Sequence, residues 1–110
     1  MTGDQLHTLW EMYFEADRCL QPGRGALRGR LREALGWLEN CRPLCGVKVQ
    51  SEFEHQVTKD LPRFLEAVGR LDELTEGELV GLADDLRRVR REVEAAFEGR
   101  VAVLHEQGLG

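Results

Sequence analysis

Leu79, Leu82, Leu86, Val89, Val93 and Ala96 recur at alternating steps of three and four. Only an α-helix brings that rhythm onto one side of the backbone. The run begins behind Thr75-Glu-Gly-Glu78, a capping box. There a hydroxyl and a carboxylate each satisfy a backbone N–H that the first turn leaves without a partner. Leu74 and Leu79 stand at the flanking positions of a hydrophobic staple. Gly99 is the one weak point before Gly108. A single helix over 76–106 would be roughly 46 Å long at 1.5 Å per residue. It must break at Gly99 or overhang its neighbours.

The rest of the chain reads in the same way. Thr2 and Gln5 form a capping box, with Met1 and Leu6 as its staple. Leu6, Leu9, Trp10, Tyr13, Phe14 and Leu20 follow, up to the breaker Gln21-Pro22-Gly23. A second helix after Gly25 carries Leu27, Leu31, Ala34, Leu35, Leu38 and Cys41, and it is expected to end at Arg42-Pro43. Gly29 and Gly36 weaken this helix unless they admit a close neighbour. Ser51-Glu-Phe-Glu54 caps a third segment with Phe53, Val57, Leu61, Phe64, Leu65, Val68 and Leu71 on one face. Pro62 lacks a donor and crowds the preceding turn, so a kink or restart is expected near Asp60. Apart from Val47 and Val49 there is no alternation that would make a strand.

The expected fold is therefore all-α: an antiparallel four-helix bundle with a kinked or broken third helix and a long C-terminal helix. Its 110 residues make one domain. A hydrophobic content of 42% supports a packed core. A net charge of −5 opposes general attraction to nucleic acid or to an acidic membrane. No apolar run reaches the roughly 20 residues that span a bilayer. The odd set Cys19, Cys41 and Cys45, behind an acidic start, suggests a reducing, cytoplasmic setting.

Two basic stretches are candidates for binding. In residues 84–94, Arg87, Arg88, Arg90 and Arg91 are interleaved with acids. Asp84–Arg88, Arg88–Glu92 and Arg90–Glu94 are at i,i+4 spacing, which favours a solvated, internally paired face. Arg24, Arg28, Arg30 and Arg32 precede the first acid of their helix. Arg24, Arg28 and Arg32 share a face that could engage an anion or an acidic partner. No aromatic residue lies among them for base stacking. Nucleic acid is therefore possible but not favoured.

Chemistry is sparse. Cys41-Arg-Pro-Leu-Cys45 lacks the second tight pair that a zinc site needs, so no metal and no cofactor are expected. A local disulfide or ordinary thiols are the readings for this pair, with Cys45 the more exposed. His7 and His55 fall on helix surfaces. No small-molecule substrate is evident. Arg100-Val-Ala-Val-Leu-His105 resembles the Arg, four residues, His motif of HEPN ribonucleases. That resemblance implies Arg100 stabilising charge and His105 acting as acid or base across a dimer. It covers six residues, and Val101 departs from the polar residue usual after the Arg.

The helical wheel sets Arg100 within the apolar stripe and leaves Val101, Val103 and Leu104 beyond the bundle. Trp37 lies off the stripe of its own helix. These residues are the expected oligomer interface. The favoured function is a non-enzymatic protein–protein interaction module, an adaptor or assembly subunit, that self-associates through its last helix into a homodimer or larger complex. The alternatives are a small nucleic-acid-associated subunit and a HEPN-like ribonuclease.

Overall fold

A computed structural model describes residues 1–22 and 25–106, with side chains as far as Gly99. Helix α1 spans Gly3–Cys19 and α2 spans Leu27–Leu38. The third segment divides into α3, Glu52–Thr58, and α4, Leu61–Ala67. Helix α5 spans Glu76–Glu106, and its backbone runs unbroken through Gly99. No strand occurs among the described residues. The fold is an all-α bundle.

The helix starts follow their sequence signals. Gln5 N–H donates to Thr2 Oγ1 at 3.1 Å, and Thr2 N–H donates to Gln5 Oε1 at 2.9 Å. Thr75 and Glu78 repeat the exchange at 3.2 and 3.0 Å. Ser51 caps α3, but Glu54 does not reciprocate on the Ser51 N–H. Its carboxylate instead accepts from the Gln50 N–H at 3.1 Å and pairs with the Met1 ammonium. Asp60 stands at the start of α4 with Pro62 in its first turn, where a missing donor is harmless. The turn before α2 uses Gly25 at φ +77°, a conformation that a side chain disfavours.

The second helix does not stop at Arg42-Pro43 as its sequence suggests. After Leu38 it tightens into a 3-10 segment, Glu39–Gly46, that carries Pro43 inside it. Cys41 and Leu44, three apart, face the core from this segment. Three residues per turn keep such a pair on one side, and burying them favours continuation. A second 3-10 stretch, Val68–Glu73, buries Leu71 and leads to Leu74 and the cap of α5.

One core joins all segments. Leu9, Tyr13, Ala16 and Leu20 meet Leu31, Ala34, Leu35 and Leu38. Val57, Leu61, Phe64, Leu65 and Leu71 lie against them, and α5 adds Leu79, Ala83, Leu86, Val89 and Val93. Full burial of such side chains stabilises by about 1.5–3 kcal/mol each before entropy is charged. Phe64 meets Tyr13 edge to face at 6.4 Å, and Phe53 meets Phe97 in the same manner at 5.0 Å. The expected stripe of α1 needs one correction. Ala16 is in the core, whereas Phe14 is 36% exposed and Trp10 half-buried. Leu9, Tyr13, Ala16 and Leu20 fall at steps of four, three and four, so residues 10 and 14 are each rotated by about 100° from that line.

Gly29 and Gly36 are a second correction. Neither has a neighbour within 4 Å of where a Cβ would stand, so they admit no close packing. Gly36→Ala is therefore expected to raise stability by about 0.5–1 kcal/mol, as read from urea denaturation.

Candidate functional site

The arginines of the α2 stretch are occupied from within the chain. Arg28 Nε donates to Leu71 O at 3.1 Å, and its Nη2 donates to Leu74 O at 2.7 Å. It thereby caps the C-terminal end of the second 3-10 stretch. Arg30 Nη1 donates to Leu20 O at 3.2 Å and to Gln21 O at 3.1 Å, at the C-terminal end of α1. Arg32 pairs with Asp72 at 2.6 Å, with both side chains more than half exposed. Arg24 lies outside the described residues. The expectation of a row open to an anion thus meets three arginines that already have partners, two of them on backbone carbonyls. Helix C-termini gather unpaired carbonyls and a negative dipole, which guanidinium donors satisfy.

The α5 cluster is a paired face, as its spacing suggests, with two changes. Arg88–Glu92 and Arg90–Glu94 form at 2.8 and 2.9 Å. Asp84 pairs with Arg87 rather than Arg88, and Arg88 turns to Asp85 at 2.5 Å. Arg87 also reaches across to α1, donating to Leu20 O at 2.6 Å. One carbonyl therefore accepts from both Arg30 and Arg87. Arg90 sits 5.6 Å above the Phe14 ring. Arg63 ties α4 to α5 by bridging Asp60 and Asp85. Burial pushes the Asp85 carboxyl up, but hydrogen bonds from Arg63 and Arg88 outweigh it and leave the group below its ordinary range.

A partly exposed aromatic row lies on α1 beside its core stripe. His7, Trp10 and Phe14 stack along the outer flank of α1, with ring centroids at 6.4 and 5.7 Å. Their i, i+3, i+7 spacing was the available signal. Counting aromatics as core residues hid it. Trp37 is 37% exposed on α2, as its position off the apolar stripe suggests.

The three cysteines are free thiols. Cys41 is buried, which pushes its thiol up to about 11, and Cys45 is exposed. Among the described residues no group of three His, Cys, Asp or Glu side chains could hold a metal ion. The Tyr13 hydroxyl and Arg30 Nε are buried with no hydrogen-bond partner among the described residues. Burial is also the main cause that raises the Tyr13 phenol well above its ordinary value. The side chains of Arg100, Val101, Val103, Leu104 and His105, and with them the HEPN-like motif and the expected dimer contacts of α5, lie outside the described residues. No helix among the described residues is long and apolar enough to cross a membrane.

Fold and surface together define a small all-α bundle with paired charges and exposed aromatic rings. No family model, no curated protein and no solved structure matches the chain.

Proposed function

We propose that this chain is a non-enzymatic protein–protein interaction module, an adaptor or assembly subunit of the cytoplasm, that self-associates through α5. One observation supports this most. The backbone of α5 is helical over 31 residues, Glu76–Glu106, against 17 in α1 and 12 in α2. In the sequence, Val101, Val103 and Leu104 follow on the same helix. Where a helix outruns its neighbours, apolar residues on it are favourably buried only against a partner. A second copy is the simplest partner, since a two-fold axis would set the same stretch against itself. The exposed Trp37 and the Trp10–Phe14 flank give further surfaces of the kind that anchor protein partners. The occupied arginines 28 and 30 take support from the nucleic-acid alternative.

Sedimentation velocity tests the reading. The intact chain is expected to run as a dimer at micromolar concentration, and Val103→Glu to run as a monomer with an unchanged helical spectrum. A wild-type monomer throughout the accessible concentration range would overturn self-association.

A further inference from the structure

A cleft of about 340 Å3 opens between the end of α1 and the outer side of α2, lined by Glu15, Arg18 and Cys19 on one wall and Arg30, Glu33 and Trp37 on the other. Positions 30, 33 and 37 share one side of α2 by their helical spacing. The two cations of the cleft have partners, although Arg30 Nε is buried with none among the described residues. Arg18 donates to both oxygens of Glu15 at 3.1 and 3.3 Å. Arg30 is fixed on the carbonyls of Leu20 and Gln21, where the end of α1 already presents negative charge. Glu33 differs from Glu15 in having no ion-pair partner among the described residues. Its neighbour is the Cys19 thiol, which burial raises first, the charge of Glu33 and a hydrogen bond with it raise further, and a hydrogen bond with Trp37 lowers. One turn along α2, the Trp37 ring is 37% exposed and lines the same space.

A carboxylate with no ion pair among the described residues, one helical turn from a partly exposed tryptophan, is chemistry that favours a cation. The carboxylate supplies the counter-charge and the indole face supplies a cation–π contact. The acidic chain, with a net charge of −5, draws cations towards it. We propose that this cleft binds a small organic ammonium ion, its charge held by Glu33 and its alkyl part laid against Trp37 and Cys19. An anionic ligand would meet the like charges of Glu15 and Glu33, and beyond Arg30 Nε it would have to draw Arg18 from Glu15. This binding site is separate from the self-association of α5.

NMR titration of the intact protein with n-butylammonium chloride tests the proposal, with sodium butyrate as the matched anion. The Trp37 indole N–H signal, told from that of Trp10 by a Trp10→Phe variant, is expected to shift saturably with the amine and not with butyrate. Glu33→Gln, at an exposed position, is expected to weaken the amine about fivefold, the upper range for one exposed ion pair. In Trp37→Leu, read at the Cys19 amide, the affinity is expected to fall as well. The proposal is overturned by no saturable shift, by an equal or stronger response to butyrate, or by unchanged affinity in Glu33→Gln.

Discussion

Phe64→Ala is expected to lower folding stability by about 3–5 kcal/mol. Phe64 is fully buried, meets Tyr13 edge to face, and carries the Arg63 guanidinium 4.7 Å above its ring. It sits in α4 just after the Pro62 restart, so the ring fixes a short helix that could not persist by itself. Truncation leaves a void that the surrounding Leu and Val side chains fill only in part. At roughly 4 °C or more per kcal/mol, the melting temperature should fall by at least about 12 °C, measured by circular dichroism. Val80→Ala is the control. Val80 is 50% exposed on α5, and its removal should change stability by less than about 0.5 kcal/mol. Similar small losses at both positions would mean that the core is not centred on Phe64.

Arg28→Ala is expected to lower stability by about 2 kcal/mol, and Arg32→Ala by no more than about 0.5 kcal/mol. The two arginines stand four residues apart on one helix and look equivalent in the sequence. Arg28 supplies charged donors to Leu71 O and Leu74 O, so its loss removes the donor from Leu74 O and leaves Leu71 O only the Leu74 N–H at 3.4 Å. Arg32 meets only Asp72, and both remain wet. Arg28→Lys should restore little, because one ammonium cannot reproduce the fork that reaches two carbonyls. Urea denaturation of the three variants side by side decides the matter. Equal losses for Arg28→Ala and Arg32→Ala would remove the structural role given to Arg28.

Much of the backbone was legible because its signals are local. A capping box needs four residues, and Thr2–Gln5 and Thr75–Glu78 form as their spacing dictates. Pro62 breaks the third segment for a reason carried by its own ring. The length of α5 follows from an uninterrupted stripe that Gly99 alone does not halt. The continuation through Pro43 was not legible, since burial of Cys41 and Leu44 decides it and burial depends on neighbours. The same holds for Phe14, whose side of α1 is settled by where α2 and α5 pack. The partners of Arg28 and Arg87 lie 43 to 67 residues away, on backbone carbonyls, and no spacing rule reaches that far. The cleft behind Trp37 is likewise a product of α1 meeting α2.

The shared acceptor at Leu20 has a kinetic consequence. Arg30 can reach it as soon as the turn between α1 and α2 closes, a separation of ten residues. Arg87 arrives from 67 residues downstream. During synthesis the first two helices can therefore pair early, while the far side of α1 stays uncovered until most of the chain has emerged. Nascent molecules would present their leucine-lined inner surface for that interval, which makes the closing helix the step that ends exposure to chaperones and to aggregation.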